Sequence, residues 1–245
     1  MNITRLITIG ILILSISSCI PSIHGIVNDE NRMTDDRILG TWTYEDGITQ
    51  AALPVFFEQT LPGNSRQELA YTFERALNII TGKQDAKSKT SWEGVTRSSI
   101  PEDSGEVITI EELPYYILTH REIIEGKLVV SQHKVEMTKI NQHVLLDFMP
   151  MPSQGIFDGR FATSYVLAHT FAKIQFEDGD LLIQPVDAEH IEKLLSQKRI
   201  RLKHERRNDE EIILTASTTE LREFLDNYSD DPGLFESSDR LHPVQ

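Results

Sequence analysis

Apolar and polar residues alternate along much of the chain, most clearly after residue 105. Val107-Ile108-Thr109-Ile110 predicts a strand that Pro114 punctuates, and residues 115–124, rich in aromatic and β-branched side chains, predict the next. Glu125-Gly126 predicts a tight turn into a strand over 127–140. There Val129, Ser131, His133, Val135, Met137 and Lys139 share one face, and Val130, Gln132, Lys134, Glu136, Thr138 and Ile140 the other. Most of the polar side chains lie on the second face, as in a sheet with one side to solvent. Asn141-Gln142 turns the chain into His143-Val144-Leu145-Leu146-Asp147-Phe148, which Pro150 and Pro152 end. A glycine-containing loop over 153–160 leads to a strand over 165–176, and Asp178-Gly179 is a hairpin signal before a return over 181–186.

The pattern then changes period. Asp187 caps a predicted helix over 188–197 with Ile191, Leu194 and Leu195 inward. Residues 200–206 and 211–215 predict a hairpin around Asn208-Asp209. Ser217 and Glu220 form a capping box. Leu221, Phe224, Leu225 and Tyr228 then mark one face of a second helix. After Asp230 the chain is polar and predicts a frayed tail over 236–245.

The first half is harder to read. Residues 37–44 predict a strand. Pro62-Gly63-Asn64 marks a turn, and Ser65 with Glu68 resembles a capping box. Leu69, Phe73, Ala76, Leu77 and Ile80 fall on one helical face, yet Leu69, Tyr71, Phe73, Leu77 and Ile79 also alternate, with only Arg75 out of step. The cap, and Gly82 as a stop, favour helix. Residues 83–105 predict a long polar loop, broken by a short strand near Trp92. There is no internal repeat. The expected fold is α+β: one domain over 37–235, an antiparallel meander of about eight strands that forms an open sheet or a closed or partial barrel, with two C-terminal helices.

The N-terminus carries a separate signal. Arg5 precedes a short apolar run, Leu6 to Ile16, too short to span a bilayer and of signal-peptide length. Ile16-Ser17-Ser18-Cys19 then resembles the bacterial lipobox. The resemblance implies cleavage of residues 1–18 and acylation of Cys19, the only cysteine in the chain. Several acyl chains would anchor the protein stably. Cleavage after Gly25, an uncleaved anchor and a chance cysteine are the competing readings. Residues 19–36 read as a flexible acidic tether. Ile20 stands where some Gram-negative systems use Asp for inner-membrane retention, which points to the outer membrane.

Two further resemblances bear on the fold. Gly40-Thr41-Trp42 resembles the Gly-x-Trp signature of lipocalins, in which the tryptophan closes the base of an up-and-down barrel. Met137-Thr138-Lys139-Ile140, Leu145-Leu146-Asp147-Phe148, Ala168-His169-Thr170-Phe171, His204-Glu205 and residues 213–221 resemble a group of uncharacterised bacterial envelope proteins. That group implies a discrete domain and no particular activity.

Composition narrows the chemistry. The 38 acidic against 24 basic residues give a net charge of −14, a poor basis for holding nucleic acid or anionic lipid through the overall field. No Gly-x-Ser-x-Gly elbow, P-loop, His-Glu-x-x-His helix or dinucleotide-binding turn is present. No cofactor or metal is expected, although His120, His133, His143 and His169 lie on predicted strands. Asp147 and His169 interrupt apolar runs, and if their strands are neighbours they could pair as an acid–base site. With Trp42 they are the candidate ligand-binding residues. His204-Glu205-Arg206-Arg207 reads as a solvated charge cluster. The expected role is a lipid-anchored envelope protein that binds or interacts without catalysis. A lipocalin-like carrier of an apolar ligand is the first alternative, and a hydrolase or metalloenzyme the second.

Overall fold

Strands with one apolar face must bury it, and here they do so by closing on themselves. The computed structural model describes residues 20–44, 66–83, 106–124, 127–151, 167–207 and 211–244. Eight antiparallel strands form a closed barrel: β2 (Gly40–Thr43), β3 (Arg66–Lys83), β4 (Glu106–Ile124), β5 (Lys127–Ile140), β6 (His143–Pro150), β7 (Thr170–Glu177), β8 (Asp180–Pro185) and β11 (Asp239–Pro243). The first seven follow one another as a meander, and β11 completes the ring between β8 and β2. A short β1 (Arg32–Met33) pairs with β5 beyond its pairing with β4. Between β8 and β11 come helix α1 (Ala188–Ser196), the hairpin β9 (His204–Arg207) and β10 (Glu211–Leu214), and helix α2 (Thr218–Tyr228).

Both faces of the sheet are covered along part of its circumference. Val135 and Met137 of β5, Leu146, Ile174, Leu181 and Leu241 point inward and meet Trp42, Phe73, Tyr116 and Leu118. Ile140, Leu145, Phe171 and Val186 point outward, beneath the helices and the β9–β10 hairpin, against Ile191, Leu194, Leu214, Leu221 and Leu225. Successive strand residues face opposite ways, so Leu145 and Leu146, each 0% exposed, belong to different cores. The helix caps are those predicted. Asp187 accepts from the His190 N–H at 2.9 Å, and Ser217 and Glu220 make a reciprocal capping box. Asp178 and Gly179 take positive φ values of 54° and 93°, which the tight β7–β8 turn requires.

Five expectations are corrected. Residues 66–83 form strand, not helix. The ladder with β4 shifts register between Arg75 and Leu77, and this bulge explains why Arg75 breaks the alternation. Leu113-Pro114-Tyr115 lie opposite that shift, so β4 runs through Pro114 without a broken ladder bond there. The predicted strand over 37–44 begins only at Gly40, after a 3-10 turn over Asp36–Ile38. The predicted tail contains β11, whose Leu241 is buried between β8 and β2. The predicted tether is packed from Ile20 onward: Ile20 and Ile26 are core residues, and Ser22 bridges His169 and Leu214. The signal peptide, Cys19, the turn at 62–64 and the stretch around Trp92 lie outside the described residues.

Candidate functional site

The two ends of the barrel are built differently. At one end the 3-10 turn tucks Ile38, 0% exposed, beside Trp42. The Trp42 indole N–H donates to the Ile38 carbonyl at 2.8 Å, and its ring lies 6.3 Å from Phe176. The Arg37 guanidinium covers the Phe176 ring at 4.5 Å. Tyr116 completes this end. Its hydroxyl accepts from the Asp35 N–H at 2.6 Å, and the Arg75 guanidinium lies 4.8 Å over its ring. Trp42 is thus part of the packing that fills this end.

Toward the other end the inward side chains stop short of filling the space. A cavity of about 260 Å³ remains above a floor of Phe73, Leu118 and Leu241. Phe148, Ala172 and Ile183 wall it, and Tyr44, Tyr71, His120, His133 and Asp239 bring polar atoms to it. These groups arrive by register. Phe73 pairs with Leu118 and Leu118 with His133, while Tyr71 pairs with His120. Partners in register share a face, so one inward row from each strand lines the cavity. The Tyr71 and His120 rings stack, with centroids 4.5 Å apart and planes within 9°. Tyr44 Oη donates to Asp239 Oδ2 at 3.3 Å and stands 3.5 Å from Tyr71 Oη. Burial holds the His133 imidazole below its usual pKa of 6.5, with the neighbouring His120 adding to the effect, so His133 is neutral at physiological pH.

Asp147 and His169 do meet, but on the outer face. Asp147 Oδ1 and His169 Nδ1 are 2.6 Å apart, and Asp147 is only 2% exposed. The other carboxylate oxygen accepts the Ile26 N–H at 2.7 Å. The backbone N–H and carbonyl of His169 both bond to Ser22. Gly25 lies flat against the pair, and a methyl group there would overlap the Asp147 carboxylate and come within 3.0 Å of the His169 ring. The Ser22 hydroxyl donates instead to the His24 carbonyl at 2.8 Å. The pair therefore clamps the N-terminal segment onto the barrel. Its costly burial is offset by hydrogen bonds on both carboxylate oxygens.

The remaining histidines are dispersed. His143 pairs with Asp230 at 2.8 Å, His242 with Asp180 at 2.8 Å, and His204 Nδ1 lies 2.8 Å from the Leu202 carbonyl. Among the described residues no three His, Cys, Asp or Glu side chains are placed to hold a metal. Tyr44, Tyr71, Phe148 and Asp239 line the cavity without having been singled out in the sequence; the inward phase of β3 and β6 was the available signal. No protein-family model matches the chain, and neither the curated proteins nor the solved structures contain a match.

Proposed function

We propose that the protein is a lipid-anchored envelope protein whose barrel binds a small, largely apolar ligand at its open end. The observation that carries this reading is the cavity of about 260 Å³ between a packed floor and a polar mouth. Small-molecule sites commonly span about 300–1,000 Å³, mostly apolar with a few placed polar groups. This cavity lies just below that range and suits a compact ligand with an apolar body. Tyr44, Tyr71, His133 and Asp239 supply the groups that would orient it. The up-and-down closure and the position of Trp42 support a lipocalin-like architecture. The Asp147–His169 clamp gives no support to the hydrolase alternative, because the N-terminal segment is seated on it.

The anchor is the lipobox cysteine, Cys19. Because Ile20 is already packed, an acylated Cys19 would tie the barrel to the bilayer without an intervening tether. Cys19→Ser should abolish acyl labelling and release the protein from membranes. Retention without label would favour an uncleaved signal segment. The ligand reading is tested by native mass spectrometry of residues 20–245 purified from a bacterial periplasm. Extra mass that disappears on denaturation is the expected result. Identical native and denatured masses, together with no uptake of small aromatic probes, would remove the carrier reading.

A further inference from the structure

The net charge of −14 conceals a cationic surface beside the point where the N-terminus enters the fold. Lys198, Arg199, Arg201, Lys203, Arg206 and Arg207 place six of the chain's 24 basic residues within ten positions, with Glu205 the one carboxylate among them. The alternation that buries Ile200 and Leu202 turns Arg199, Arg201 and Lys203 outward. Lys203 pairs with Glu220 at 2.9 Å and Arg206 with Glu192 at 2.8 Å. Lys198 and Arg201 have no ion-pair partner among the described residues. Arg201, Lys203, His204, Glu205 and Thr215 line a shallow groove.

The backbone places this surface close to residues 21–23, at the start of the described N-terminal segment. The Leu214 N–H donates to the Pro21 carbonyl and the Ile23 N–H to the Leu214 carbonyl, both at 2.9 Å. On the other side, the Thr215 N–H donates to the Lys203 carbonyl at 2.9 Å. Only one strand therefore separates the first packed residues from Lys203, and strand spacing is about 4.8 Å. Ile23 is 40% exposed on the same N-terminal segment. Glu205, Glu220 and Asp231 act on this face at short range, and carboxylates beyond about 8–10 Å are screened at physiological ionic strength, so Lys198, Arg199, Arg201 and Lys203 still outnumber the acids that a flat contact meets.

We infer that the face around Lys198, Arg199, Arg201 and Lys203 docks on a lipid surface bearing anionic phosphate head groups. The inference extends the anchored reading, but it rests on charge and backbone placement and not on acylation. The anchor would hold the barrel near the bilayer, and this face would set which way it lies. A net-acidic domain then meets the membrane with its basic side, and its carboxylates face away.

Residues 20–245, which hold every described element and lack Cys19, provide the test. Co-flotation is measured with vesicles of phosphatidylcholine alone and of equal parts phosphatidylglycerol and phosphatidylcholine. The protein should float preferentially with the phosphatidylglycerol vesicles, and added salt should release it. Lys198→Gln and Arg201→Gln should each weaken partition about fivefold, which corresponds to about 1 kcal/mol for each basic residue near an anionic surface. Both side chains are exposed, so circular dichroism should be unchanged. Equal flotation with the two vesicle types, or unchanged flotation of the double variant, would overturn the inference. Binding to heparin without preference for phosphatidylglycerol would overturn it too, and would assign the face to a soluble acidic partner. Acyl labelling of Cys19 in the full chain is a separate readout, so failure of the anchor and failure of the docking face are distinguishable.

Discussion

The filled and the open end of the barrel are made from the same strands, yet they do different work. At the filled end Ile38, Trp42, Tyr116, Met137 and Ile174 leave no space, and the polar atoms of Trp42 and Tyr116 are bonded to backbone groups. At the open end Tyr44, Tyr71, His133 and Phe148 come from the same β2–β6 surface, but aromatic rings and imidazoles stand around a void. The contrast shows that closure of the barrel is secured at one end, which frees the other to carry side chains that do not maximise packing. An incompletely packed end of this kind costs stability, and the outer core beneath the helices supplies a second source of it.

The largest expected effect lies at the filled end. Trp42→Ala should destabilise the protein by about 3–5 kcal/mol in urea titration, because a large buried ring leaves a cavity that its neighbours cannot fill. Phe148→Ala, at the cavity wall, should cost less than half of that. Equal costs would erase the distinction between the ends. Next comes the outer clamp. Asp147→Ala leaves the Ile26 N–H and the His169 imidazole without their acceptor, at about 1–3 kcal/mol for each buried group. Gly25→Ala should cost about 1–3 kcal/mol through overlap with Asp147. If both variants melt as the wild type does, the N-terminal segment is not held in the way described.

A smaller effect should appear in the pH dependence of stability. Burial, with His120 adding to it, depresses the His133 pKa below 6.5. The unfolded chain then takes up a proton that the barrel refuses. The native state is therefore at full strength above about pH 6.5 and loses stability as pH falls below that value. His133→Gln should flatten this slope below about pH 6.5. An unchanged slope would show that His133 is not the group responsible.

Much of this architecture was legible in the amino-acid pattern, and the exceptions have physical causes. The β5 alternation, the Asp178-Gly179 turn and both helix caps depend on neighbours in sequence, and they were read correctly. β3 reads as a helix because Ser65 and Glu68 imitate a cap, Gly82 imitates a stop, and Arg75 sets a charge at an inward position beside a bulge. There it stacks on Tyr116 and pairs with Asp36, contacts that no local pattern encodes. β11 was missed because only Leu241 among its five residues is apolar, and its strand character comes from ladders on both sides. The N-terminal segment reads as a tether because Ile20 and Ile26 stand in a polar stretch with no regular spacing, although each is buried. Asp147 and His169 were visible as polar breaks in apolar runs, and their pairing followed. The cavity was not visible, since its volume is a property of closure and belongs to no single strand.

The most direct test of a ligand-binding open end is to fill it and leave the rest intact. Ala172 is buried, points inward from β7 and lines the cavity. Ala172→Phe is compared with wild-type residues 20–245 by native mass spectrometry and by fluorescence titration with a small apolar dye. The variant should lose the bound mass and the dye signal, with an unfolding midpoint close to the wild-type value. Binding that survives in a folded Ala172→Phe barrel would place the ligand elsewhere and remove the open end as its site.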